Sequence, residues 1–128
     1  MEVLSSRVLL RPKDLARSLR FYGETLGLAV YREFGPVDQP GVVFFLGQGF
    51  LELSGHSDDE AGPGLSLWLQ VRDVAREEKL LREAGVTVVR EARMEPWGLI
   101  ELWIEDPDGH RIVLVQVPSG HPLRRDPR

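Results

Sequence analysis

The chain has 128 residues and no cysteine, which excludes disulfides, thiolate chemistry and cysteine-ligated metals. Its apolar fraction of 42% is enough for a packed core and too high for a disordered chain. A formal net charge of −4 disfavours a nucleic-acid partner. No apolar run is long enough to span a bilayer and the N-terminus lacks a signal pattern, so a cytoplasmic protein without a membrane partner is expected.

Residues 7–11 alternate in polarity and predict a first strand. Asp14 follows as a helix cap, and Leu15, Leu19, Tyr22 and Leu26 recur at helical spacing until Gly27 stops the helix. Strands are predicted over 28–34, 42–46 and 50–54, with Gly47-Gln48-Gly49 as a hairpin turn. Residues 55–64 are polar and rich in Gly and Asp, and read as a linker. Its Asp58-Asp59-Glu60 run lacks the glycine and final glutamate of a calcium loop and reads as a solvated turn.

The order then recurs. A strand over 65–71 runs into Asp73, which caps a helix carrying Val74, Leu81 and Ala84 and stopped by Gly85. Strands follow over 86–92, 99–105 and 111–117. The tail, 119–128, has no periodic pattern and is expected to be flexible. The copies also match residue by residue. Leu10, Asp14, Ala16 and Arg17 correspond to Leu69, Asp73, Ala75 and Arg76, and Arg32-Glu33 corresponds to Arg90-Glu91.

Two motifs stand at the ends of this repeated unit. One is Asp14-Leu15-Ala16-Arg17-Ser18-Leu19-Arg20-Phe21-Tyr22 followed by Leu26-Gly27-Leu28; the other is Asp106-Pro107-Asp108-Gly109-His110 before the last strand. With the repeat, they resemble the vicinal oxygen chelate superfamily of glyoxalases, bleomycin-resistance proteins and extradiol dioxygenases. The resemblance implies an α+β fold of two tandem βαβββ modules, 5–54 and 65–117, within a domain spanning 1–118. Their strands would form a curled, cup-shaped mixed sheet with helices outside. It also implies a homodimer.

Strand alternation assigns faces within such a fold. Leu51, Leu53, Ile112, Leu114 and Gln116 are expected on the helix side. Arg7, Leu9, Arg11, Phe50, Glu52, Ser54, Ser66, Trp68, Gln70, Glu101, Trp103, Arg111, Val113 and Val115 are expected on the cup side. Metal-using members of the family carry His, Gln or Glu at four cup positions, which correspond here to Arg7, Glu52, Ser66 and Val113. Only Glu52 is a plausible ligand, because arginine offers no lone pair and valine no donor atom. No metal site and no cofactor are therefore expected, and a two-pronged hydrogen bond from Arg7 to Glu52 is expected instead. His56, His110 and His121 all fall in loops, although His56 is near enough to Glu52 in sequence to join it.

The candidate ligand-binding residues are Arg7, Glu52, Trp68, Trp97, Glu101, Trp103 and Arg111. The segment Glu95-Pro96-Trp97-Gly98 is similar to the Pro-Trp-Gly stretch of bleomycin-resistance proteins. Indoles offer flat stacking surfaces, and the glutamates beside them favour a cationic or aromatic guest. The arginines favour an anion. Equally, each indole reads as packing, Glu101 as an exposed strand residue, and Glu95 with Arg93 as a solvated loop pair. The leading expectation is a small-molecule-binding protein of the bleomycin-resistance kind, sequestering an aromatic or cationic ligand. The alternative is a glyoxalase-like lyase, isomerase or dioxygenase in which Zn, Ni, Mn or Fe polarises vicinal oxygens and Glu52 serves as ligand or base.

Overall fold

The computed structural model describes residues 1–125. The chain divides into two compact units, Met1–Glu60 and Ala61–Arg128. Each follows the order βαβββ and carries one four-stranded sheet.

In the first unit, β1 (Val8–Leu10) pairs in parallel with β4 (Gly49–Leu53), and β3 (Gly41–Leu46) and β2 (Val30–Phe34) complete the order β1-β4-β3-β2. In the second, β5 (Ser66–Gln70) pairs in parallel with β8 (Arg111–Gln116), followed by β7 (Ile100–Glu105) and β6 (Val88–Met94). The first and last strands of each unit are thus hydrogen-bonded neighbours, which brings residues some 45 positions apart in sequence, such as Arg7 and Glu52, onto one patch of sheet.

Both helices begin as their sequences require. Asp14 caps α1 (Leu15–Arg20) by accepting from the Arg17 N–H at 3.0 Å, and Asp73 caps α2 (Val74–Glu83) by accepting from the Arg76 N–H at 3.1 Å. Gly27 and Gly85 follow the helical segments at φ of 70° and 79°, a backbone that side-chain-bearing residues rarely adopt. The first helix departs from the sequence expectation of one continuous helix to Leu26. At Phe21 it widens into a π-helical turn, Phe21–Thr25. The neighbouring rings of Phe21 and Tyr22 are both buried there, edge to face at 5.0 Å. Gly23 passes close to the Phe44 ring, where a side chain would only just fit.

The apolar core of each unit lies between helix and sheet. Leu51 and Leu53 are fully buried in the first unit; Ile112, Leu102, Ile104 and Val74 are fully buried in the second. Gln116 sits on the same side as Ile112, and its side-chain oxygen accepts from the Val74 N–H, adding a second cap to α2. On the opposite face of β8, Val115 packs with Leu99 and Val117 against Val113.

The turn Asp106–His110 is built around a buried carboxylate. Asp106 accepts from the N–H groups of Asp108 and His110, both at 2.9 Å, while Gly109 supplies a φ of 85°. Beyond β8 the chain forms a 3-10 turn, Pro122–Arg125, where the sequence suggested only irregular structure. The expectation of flexibility for 126–128 lies outside the described residues. No helix among the described residues is long and apolar enough to cross a membrane.

Removing one cap tests this account. Asp73→Ala is expected to lower the unfolding free energy by about 1 kcal/mol, read as a lower urea midpoint. An unchanged midpoint would mean that water serves the Arg76 N–H equally well.

Candidate functional site

In the first unit, alternation along β4 puts Glu52 and Ser54 on the face opposite Leu51 and Leu53. Glu52 lies opposite Leu9 across the parallel pair, so Arg7 and Arg11 flank it on the same face. Arg7 Nη1 donates to Glu52 Oε1 at 3.0 Å. The other carboxylate oxygen, Oε2, accepts the Ser54 hydroxyl at 2.6 Å and lies 3.6 Å from Arg11 Nη1. Ser54 Oγ in turn accepts a short hydrogen bond from Arg11. The expected two-pronged Arg7–Glu52 contact is therefore a single prong. Ser54 occupies the second oxygen because two residues along a strand share a face.

Glu52 is largely buried, yet its carboxyl is held below the ordinary glutamate range. The Ser54 hydroxyl does most to favour the anion, with help from the hydrogen bond and charge of Arg7 and the charge of Arg11; desolvation opposes them. Both oxygens thus already have donors. The remaining positions where the family places metal ligands carry Arg7, Ser66 and Val113. His56 pairs instead with Asp58, Nε2 to Oδ1 at 2.9 Å. Among the described residues no three His, Cys, Asp or Glu side chains are grouped so as to hold a metal ion. The donor set does not fit a metal centre.

In the second unit the indoles gather around Glu101. Trp97 Nε1 donates to Oε2 at 2.8 Å, and Trp103 Nε1 approaches Oε1 at 3.5 Å. Glu101 is only 7% exposed, so it is no solvated strand residue. Glu95 is more buried still, at 4%, so the expectation of a solvated Glu95–Arg93 pair is corrected for the carboxylate, while Arg93 stays exposed. Its carboxylate receives Arg93 Nε at 3.2 Å and a short contact from Arg90 Nη2.

Trp103 is engaged from within its own sheet. The Arg90 guanidinium carbon lies 3.9 Å from its ring centroid and that of Arg111 lies 4.7 Å away. Its ring surface is already engaged by two cations, each contact being worth about 0.5–2 kcal/mol. Trp68 and Trp97 remain open, at 50% and 58% exposure. The Trp97 turn closes through Gly98 N–H to Glu95 O at 2.9 Å, and His121 Nε2 lies 3.1 Å from the Trp97 carbonyl. A residue expected in a free tail thus rests against a candidate site residue.

Arg90 and Glu95 are the members that strand alternation did not single out. Arg90 pairs with Trp103 and Arg93 with Glu101, so three steps on β6 match two on β7. This β-bulge turns Arg90 and Arg93 toward one carboxylate, whereas regular alternation separates residues three apart onto opposite faces. The short spacing of Arg90, Arg93 and Glu95 was the available signal, but only with the bulge known.

The depressed Glu52 pKa has a signed consequence. A group whose folded-state pKa lies below its unfolded value adds stability that is complete above the unfolded value and lost as pH falls through the folded one. Between neutral and acid pH, the melting temperature of the wild type is expected to fall more than that of Glu52→Gln. Parallel curves would contradict the proposed strength of the Ser54 and Arg7 contacts.

Residues 5–114 match the family described as the Glyoxalase/Bleomycin resistance protein/Dioxygenase superfamily. The probable lactoylglutathione lyase of Synechocystis sp. is 30% identical over 122 residues, covering 87% of this chain and 93% of the relative. The lactoylglutathione lyase of Neisseria meningitidis serogroup B is 30% identical over 123 residues, covering 88% and 89%. A solved superfamily member from Sphaerobacter thermophilus superposes with a TM-score of 0.69 at 26% identity, covering 90% of this chain and 98% of that one. A glyoxalase-related enzyme from Fulvimarina pelagi gives 0.72 at 25% identity, covering 92% and 90%. With the two βαβββ units already evident in its backbone, the chain belongs to the glyoxalase/bleomycin resistance protein/dioxygenase superfamily.

Proposed function

We propose that this chain is a small-molecule-binding member of its superfamily, of the bleomycin-resistance kind, which holds an aromatic or cationic ligand without a complete metal site. The observation that carries this reading is the state of Glu52. It is the one carboxylate at a position where the family places metal ligands, and Arg7 and Ser54 already occupy its two oxygens. A cation arriving there would have to displace charge-assisted hydrogen bonds, and among the described residues Glu52 belongs to no group of three His, Cys, Asp or Glu side chains. The exposed indoles of Trp68 and Trp97 support the ligand-binding half of the reading, since each offers a large apolar surface to a planar molecule.

A second reading, a metal-dependent lyase, is favoured by the names of the relatives at about 30% identity. It assigns Glu52 as ligand or base. Element analysis of the purified protein separates the two. Less than a tenth of an equivalent of Zn, Ni, Mn or Fe, unchanged after incubation with each ion, is the expected result; stoichiometric retention would overturn the metal-free reading.

The same proposal includes a homodimer. Its support is the edge strand β2, where Val30 and Tyr31 are about half exposed and Phe34 is more than a third exposed. Sedimentation velocity is expected to give about twice the chain mass at micromolar concentration, and a monomer at high concentration would refute it.

A further inference from the structure

We propose that the face of the second sheet carrying Trp68 and Arg111 takes an aromatic oxyanion: a flat ring bearing a carboxylate or a phosphate monoester. This rests on the ligand-binding reading above and selects the aromatic branch of it, with a charge opposite to the cationic one.

Most charges in this region are already matched. Glu52 has Arg7 and Arg11, and Glu95 has Arg90 and Arg93. Glu101 is nearly buried behind the indole N–H groups of Trp97 and Trp103. Arg111 is different. Its guanidinium lies against the Trp103 ring, and its Nε is buried with no hydrogen-bond partner. No carboxylate among the described residues lies within 4.0 Å of it. Glu105 is its cross-strand neighbour in register, yet the side chain leans over Trp103 instead of pairing with it. Among the described residues no hydrogen bond or ion pair engages its two terminal nitrogens either. A planar guanidinium held by a ring, with its outer fork free, is arranged to grip two oxygens of a carboxylate or phosphate.

The neighbours supply the rest of the recognition. Ser66 is the register partner of Arg111 across the parallel pair and is exposed, so its hydroxyl can donate to the same anion. One same-face step along the sheet, about 7 Å, brings the next row, in which Trp68 stands opposite Val113. Among the described residues no ring or guanidinium stacks on the half-exposed Trp68 ring, unlike Trp103. A ring lying on Trp68 over the small Val113 side chain would therefore place a directly attached oxyanion at Arg111 and Ser66.

Isothermal titration of the full chain with four naphthyl probes tests this. 2-Naphthoate and 2-naphthyl phosphate are the anionic arms; 2-naphthylmethanol is neutral and 2-naphthylmethylammonium cationic. At least one anion is expected to bind ten-fold or more tightly than the neutral and cationic probes. Arg111→Gln is expected to abolish that preference while leaving the neutral probe unchanged. Trp68→Ala is expected to weaken all probes together. Should Arg111→Gln fail to fold, as judged by circular dichroism, Ser66→Asp at the exposed partner position is expected to remove the preference by repulsion. Equal binding of the neutral or cationic probe overturns the oxyanion inference and leaves the ligand-binding reading standing. Binding of none of the four overturns both.

Discussion

The strict alternation of side chains along β4 and β8 is the constraint on which the rest of this protein depends. Leu51, Leu53, Ile112 and Leu114 turn toward the helices, so Glu52, Ser54, Arg111 and Val113 must turn the other way. Magnitudes show which side decides. Burying each large aliphatic chain is worth about 1.5–3 kcal/mol, whereas a partly exposed ion pair such as Arg7–Glu52 contributes about 0–1 kcal/mol. The polar face is placed by the apolar one. The parallel pairing of first and last strands then brings Arg7 and Arg11 to Glu52, and Ser66 to Arg111.

Three carboxylates on these faces illustrate three ways to keep a charge out of water. Glu52 is held by two guanidiniums and a hydroxyl, and its pKa is depressed accordingly. Glu95 is shared by two arginines. Glu101 is met, among the described residues, by indole N–H donors. In each case hydrogen bonds offset the cost of taking a polar group out of water. In the first, guanidinium groups supply positive charge beside the carboxylate that corresponds to a metal-ligand position elsewhere in the superfamily. Arginine brings charge and direction but no empty orbital, so it can orient an oxygen without activating a bound water. This difference bears on the metal-dependent alternative, in a chain that shares its superfamily with relatives named lactoylglutathione lyases. A fold common to lyases and drug-binding proteins does not choose between them.

The amino-acid sequence alone determined the architecture: two βαβββ units, their capping aspartates, their stopping glycines and the faces of the central strands. These follow from local chemistry and from periods of two and 3.6 residues, which need no knowledge of distant contacts. The family resemblance, not periodicity, suggested Glu52 beside Arg7, and the parallel pairing of β1 with β4 brings them together. Tertiary structure alone decided the rest. The bulge in β6 turned Arg90 and Arg93 onto a buried Glu95 and laid the Arg90 guanidinium over Trp103, where the Arg111 guanidinium of β8 also lies. The π-helical turn at Phe21 and the contact of His121 with the Trp97 carbonyl belong to the same class. Each rests on one extra residue in a regular element, or on a partner far along the chain, and neither leaves a periodic trace in the sequence.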